Sequence, residues 1–284
     1  MTATEHRDLV VGVDPVRATP LAPAWAADEA HRRHLALRLV AAVPPPHAAR
    51  HADDPRHRER TRRAADALRA TADRVRARQP DVSVDTALVE GPPAAVMAGL
   101  AQEAAMVVLG SRHLSRTEEF LSAGSLVVPV TARARCPVVV VGDAEHTTQD
   151  PAYLVVGIDG SDSSRAALAL AFEEADLRRC ALRAVAVWQP PVFTVHTGDT
   201  LFHAERRLLS ETTAGWAAKY PDVRLAHEVL IGSPVELLAE AAEHALAVVV
   251  GRRGRGGYSG MRVGSVVHGL LHRAHCPVIT VPAE

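Results

Sequence analysis

The chain has 284 residues, 48% of them hydrophobic and 23% charged, with a formal net charge of −1 at pH 7. That length suits two domains of ordinary size better than one, and the balanced charge leaves no global field to draw in nucleic acid or a membrane surface. The three cysteines, Cys136, Cys180 and Cys276, are too sparse for a disulfide framework, which points to a reducing, cytoplasmic setting; no apolar run approaches the roughly 20 residues that span a bilayer, and the opening MTATEHRDLVVGVD lacks the apolar stretch of a secretory signal.

From its first strand onward the chain reads as a duplication. Leu9-Val-Val-Gly-Val-Asp14 returns as Leu154-Val-Val-Gly-Ile-Asp159, and Ala36-Leu-Arg-Leu-Val40 as Ala181-Leu-Arg-Ala-Val185. Glu90-Gly-Pro-Pro93 returns as Ile231-Gly-Ser-Pro234. Val107-Val-Leu-Gly-Ser-Arg112 returns as Val248-Val-Val-Gly-Arg-Arg253, and Arg133-Ala-Arg-Cys-Pro-Val138 as Arg273-Ala-His-Cys-Pro-Val278. The matches are collinear, so each half is one module. Within the first half, His47, His51 and His57 sit with Asp53 and Asp54 in a proline- and arginine-rich stretch that reads as a solvated loop, with metal binding as the weaker alternative. The polar, proline-ended segment Gly142–Pro151 reads as a linker. It separates a domain at 1–145 from one at 151–284.

In the second half the spacing predicts strand 153–158, helix 163–178, strand 182–187, a proline-rich loop, helix 201–219, strand 224–230, helix 234–244, strand 246–250, a glycine loop, helix 265–273 and strand 278–281. Continuous apolar strands alternating with helices belong in a parallel sheet covered on both faces. The fold class is therefore α/β, two tandem doubly wound domains of five parallel strands each. Ligands of such sheets sit beyond the carboxyl ends of the strands, where strand order reverses. If the strands ending at Asp159 and Gly251 are neighbours, both motifs line one crevice.

The loop carries the chemistry. Gly251, Gly254, Gly264 and Ser265 form G-x2-G-x9-G-S between a strand and a helix. Glycines permit φ > 0 and close approach to an anion, and free N–H groups at a helix start favour negative charge. Arg252, Arg253, Arg255 and Arg262 read first as a solvated basic rim, with one or two of them placed to touch phosphate. No Walker A loop is present, and no G-x-G-x-x-G with its distant acid. Asp159 in Asp-Gly-Ser-Asp-Ser suits ligand contact and helix capping alike. His268, His272 and His275 follow helical spacing and read as surface histidines rather than a zinc site. Cys136 and Cys276, each before Pro-Val, read as small core groups.

Ile158-Asp-Gly-Ser161, the glycine loop and the closing Cys276-Pro-Val-Ile-Thr-Val281 together resemble the universal stress protein family, one module per half. The resemblance implies an adenine-nucleotide α-hydrolase-like fold and ATP binding in the second half, with Mg2+ beside the phosphates. It places Asp159 near the ribose or adenine and Val187 against the adenine, with Ile158 and Gly160 also counted among the cofactor-binding residues. Gly251, Gly254 and Gly264 would shape the phosphate loop, Ser265 with the N–H of Val266 would reach phosphate oxygens, and Arg252 and Arg253 join the cofactor-binding residues. Val267 stands where the family often has a hydroxyl, which removes one expected contact. The family also pairs through its last strands, so the resemblance implies an internal pseudo-dimer of 138–141 with 278–281 and leaves a further homodimer open. The first half departs from the pattern: Pro15-Val-Arg follows Asp14, His113 stands for Gly254, Gly124-Ser125 arrives one residue late, and Glu118 and Glu119 add negative charge. The first half is expected to bind nucleotide weakly or not at all. The chain is thus expected to be an ATP-binding stress-response signalling module. A slow ATP hydrolase or phosphotransferase, and a nucleotide-free interaction module, are the alternatives.

Overall fold

The computed structural model describes residues 7–17, 19–46, 54–111, 126–144, 146–189, 198–255 and 262–283. The chain divides into two compact units, Met1–Asp143 and Ala144–Glu284. The first holds β1 (Leu9–Gly12), α1 (Leu21–Arg33), β2 (Leu37–Val43), α2 (Pro55–Arg78), β3 (Val84–Glu90), α3 (Pro93–Leu100), β4 (Met106–Ser111), α4 (Val127–Arg133) and β5 (Val138–Gly142). The second holds β6 (Tyr153–Ile158), α5 (Asp162–Arg178), β7 (Ala181–Trp188), α6 (Gly198–Thr213), α7 (Trp216–Lys219), β8 (Leu225–Ile231), α8 (Pro234–Ala241), β9 (Val248–Gly251), α9 (Ser265–Arg273) and β10 (Val278–Val281).

Each unit is a parallel sheet flanked by helices, in the order β3-β2-β1-β4-β5 in the first and β8-β7-β6-β9-β10 in the second. The central strands are apolar along their whole length because helices shield both faces: Leu154, Val155 and Val156 of β6 and Val248 and Val249 of β9 are fully buried. The outermost strands β3 and β8 mix exposed and half-buried residues and hold no fully buried one.

Several boundaries move. The helix expected over 201–219 is two, because Gly215 between them takes φ 82, a left-handed conformation no helix contains. Trp216 and Tyr220 beyond the break stack on Phe172 of α5 at 5.3 and 5.7 Å between ring centroids. The helix expected to reach residue 244 ends at Ala241, and the fourth strand starts at Val248 rather than 246. The supposed loop around His57 is helical from Pro55 onward, with Asp54 accepting a hydrogen bond from the Arg56 N–H at 2.9 Å. Ala64, Leu68, Thr71, Ala72 and Val75 give α2 its buried stripe, and its arginines face water. His47, His51 and Asp53 lie outside the described residues. The linker packs on the second unit: His146 Nε2 lies 2.9 Å from the Ala245 carbonyl, and the Gln149 N–H donates to the His244 carbonyl at 3.0 Å.

Candidate functional site

β6 and β9 are parallel neighbours, with Val155 opposite Val248 and Val156 opposite Val249. Their carboxyl ends therefore bring Asp159 beside Gly251. Strand order reverses at this pair, since β7 and β8 extend the sheet to one side and β10 to the other. The loops leaving the two strands part there, and a cavity of about 480 Å3 opens between them.

Asp159 is the anchor of the cavity wall. Its Oδ1 accepts from the Ser161 N–H at 3.0 Å and the Ser161 hydroxyl at 2.6 Å, and its Oδ2 accepts from the Arg255 N–H at 2.9 Å. Burial pushes the carboxyl towards its neutral form, but the hydrogen bonds from Ser161, Arg255 and Ser164 outweigh it and hold the group below the usual carboxylate value. Ser161 is also the N-cap of α5 and accepts from the Ser164 N–H at 3.2 Å. Capping and loop-holding thus coexist in one Asp-Gly-Ser turn, which Gly160 closes with φ 77.

A second tie comes from Ser163, a residue the sequence reading passed over. Its hydroxyl donates to the Arg253 carbonyl and accepts from the Arg253 N–H at 3.3 Å, so it clasps both ends of that residue. Next to it the chain passes so closely that a Cβ on Gly251 would lie 2.5 Å from Ser163 Oγ and 2.8 Å from the Ser164 nitrogen. A Cβ on Gly254 would lie 2.4 Å from Asp159 Oδ2. Gly264 has φ −69, and neither Gly251 nor Gly254 has a positive φ. Of the two expected uses of these glycines, positive φ and close approach, the structure shows close approach.

The cavity has two chemically different sides. On one, Gly251, Arg253 and Gly254 face the start of α9, where Gly264 is the N-cap and no side chain caps the amides that follow. Ser265, Val266 and Val267 border the cavity there together with Arg253, so the first amides of a helix and a basic residue meet at one place, as an anion requires. On the other side Ile158 and Val187 of the sheet meet Pro234, Val235 and Leu238 of α8, an apolar slot of the kind that takes a flat ring.

Of the residues singled out from sequence, the structure brings Ile158, Asp159, Val187, Gly251, Arg253, Gly254, Gly264, Ser265 and Val266 to this one cavity. Gly160 and Arg252 are not among the residues that line it. The left-handed turn at Gly160 carries it away, so that a Cβ there would meet Leu208 of α6 at 3.1 Å. Arg252 is spent on backbone geometry: its N–H donates to Val281 and its carbonyl accepts from the Gly264 N–H, at 2.7 and 2.9 Å. Burial and then the like charge of Arg253 pull its guanidinium pKa down. Ser233, Pro234, Val235 and Leu238 were missed, although the repeated Gly-x-Pro at 91–93 and 232–234 marked their segment. The first-unit loop residues His113, Glu118, Glu119, Gly124 and Ser125 lie outside the described residues.

Elsewhere, the rings of His268 and His272 meet edge to face at 4.9 Å. No group of three or more His, Cys, Asp or Glu among the described residues is placed to hold a metal ion. Cys136 and Cys276 are buried, and desolvation pushes their thiols up to about 11 and about 12. No helix among the described residues is long and apolar enough to cross a membrane.

Comparison with known proteins bears on the whole chain. The model of the universal stress protein family matches residues 5–142 and again 153–282. Universal stress protein Rv2005c of Mycobacterium tuberculosis is 35% identical over 288 residues, covering 97% of each chain. Universal stress protein Rv2623 of the same organism is 32% identical over 284 residues, covering 95% of each. A solved universal stress protein from Archaeoglobus fulgidus superposes with a TM-score of 0.72 over 96% of each chain at 16% identity, a likeness of fold.

Proposed function

Since the chain belongs to the universal stress protein family, in the tandem form with two such domains, we propose that its second unit binds an adenine nucleotide, ATP in the first instance, as a binding and signalling module of a stress response. The observation that carries this reading is the pairing, in one cavity, of an amide-lined side with an apolar slot. The helix-start N–H groups of Ser265 and Val266, together with the basic residue Arg253, suit phosphate oxygens. The slot between Val187 and Val235 suits a base, whose burial contributes about 25 cal/mol per Å2 of apolar surface.

The residues present fit a nucleotide but offer little to a metal. Asp159 is the carboxylate bordering the cavity, and both of its oxygens accept protein hydrogen bonds. Mg2+ arriving with ATP would therefore keep water and phosphate oxygens as its ligands. The same occupation of Asp159 argues against hydrolysis, which needs a group free to orient or deprotonate the attacking water. Binding without turnover is the reading favoured here.

Two measurements test it. Denaturing the purified protein and analysing the supernatant by mass spectrometry should release an adenine nucleotide, and added ATP with Mg2+ should raise the melting temperature. At a hundredfold the dissociation constant the stabilisation is about 2.7 kcal/mol. Gly254→Val should abolish the shift while keeping the fold, because its side chain would displace the loop from Asp159. A protein that releases no nucleotide and melts unchanged with ATP is a nucleotide-free interaction module instead.

A further inference from the structure

Two serines stand at helix N-caps on the wall of this cavity. An N-cap serine normally turns its oxygen onto the first free amides of its own helix. Ser161 does so, accepting from the Ser164 N–H at 3.2 Å. Ser233 does not: it heads α8 with no side-chain capping bond, and its hydroxyl has no hydrogen-bond partner among the described residues. Pro234 follows it and has no N–H to offer.

A hydroxyl supplies one donor and two acceptor sites, and leaving them unused beside a cavity makes them available to whatever enters. The surroundings decide which part of a ligand that is. Ser233 adjoins Pro234 and Val235, and the same lining holds the apolar Leu238, Ile158 and Val187 beside the polar Gln189. The groups suited to phosphate lie on other segments, at Gly251–Gly254 and Gly264–Val266. A polar group among apolar walls fixes the orientation of the ring between them.

We propose that Ser233 is a specificity-determining residue whose hydroxyl hydrogen-bonds the polar edge of the nucleobase. The inference rests on the assignment of the cavity to a nucleotide and adds the residue that reads its base. The matching residue of the first unit is Pro92, which has no hydroxyl, so the feature is particular to the second unit.

Calorimetric titration with two probes, ATP and inorganic tripolyphosphate, separates the base from the phosphates. Ser233→Ala should weaken ATP roughly three- to tenfold, the loss of one ordinary hydrogen bond, and leave tripolyphosphate unchanged. Ser233→Thr should restore ATP binding, since it keeps the hydroxyl. Unchanged ATP affinity in Ser233→Ala overturns the proposal, and so does an equal loss for both probes, which would place the effect in the phosphate cradle. If the unaltered protein binds tripolyphosphate but not ATP, base reading fails while the cradle stands. If it binds neither, the nucleotide reading of the cavity itself fails. Melting curves without ligand show that each variant is folded.

Discussion

Asp159 stays charged in a half-buried place because donors face both of its oxygens: the Ser161 N–H and hydroxyl on one, the Arg255 N–H on the other. Its folded-state pKa lies below the ordinary carboxylate value, burial opposing and these bonds prevailing. An unfolded Asp titrates near about 3.9. The stabilisation is therefore complete above that value and is lost as the pH falls through the lower folded value. Urea unfolding followed by the fluorescence of Trp188 and Trp216, both in the second unit, should show a midpoint that drops below about pH 4. Asp159→Asn should flatten that acid slope and lower the midpoint at pH 7, where the native carboxylate is fully charged. Parallel pH curves for the two proteins would show that Asp159 does not hold the loop.

At the scale of elements, the two sides of the cavity are coupled by a helix crossing. Gly269 of α9 lies so near α8 that a Cβ would stand 2.5 Å from both methyl carbons of Val235. α8 carries the apolar wall and α9 heads the phosphate side, so this contact sets the gap between them. Gly269→Leu should cost about 1–3 kcal/mol through overpacking and weaken ATP as well, with Gly269→Ala intermediate in both. Thermal unfolding and nucleotide titration on the same samples check this; a Leu variant as stable and as tight as the parent protein would sink it. Much of this architecture was legible beforehand. Strands 153–158 and 278–281 and helix 265–273 follow from apolar runs bounded by turn residues, which are local signals. The sequence left the adjacency of Asp159 and Gly251 conditional on their strands being neighbours, and the pairing of β6 with β9 meets that condition. What the pattern could not show is contact across the chain. Ser163 and Arg253 are 90 positions apart, and no periodicity joins them. Ser233 was hidden for a related reason, since an N-cap serine normally serves its own helix, and only the geometry shows that this one does not. The break at Gly215 was missed because apolar residues at helical spacing run straight through it.

Across the whole molecule, the duplicated halves have diverged at the loop after the first strand. Asp14 accepts from the Val16 and Arg17 N–H groups at 2.8 and 3.3 Å, but Pro15 follows it where Gly160 follows Asp159. α1 begins after Pro20 with no side-chain cap, while α5 begins at once after the capping Ser161. Where Ser163 passes under Gly251, Thr19 passes under Gly110, and a Cβ there would meet its Oγ1 at 2.7 Å. The serine turn that holds the second unit's loop thus has a different counterpart in the first. Titration calorimetry should therefore return one adenine nucleotide per chain, and hydrogen exchange with ATP should slow at 158–164, 251–255 and 262–267 while 9–17 stays unaffected. Two equivalents of similar affinity would contradict this asymmetry.

The clasp of Ser163 on Arg253 has a kinetic corollary. It fixes one flank of the loop through protein groups alone, so an arriving nucleotide has less chain to immobilise there. Preset receptors lose little entropy on capture, and their encounter rates vary little among related guests. Discrimination between one nucleotide and another would accordingly be written in how long each stays rather than in how fast each arrives.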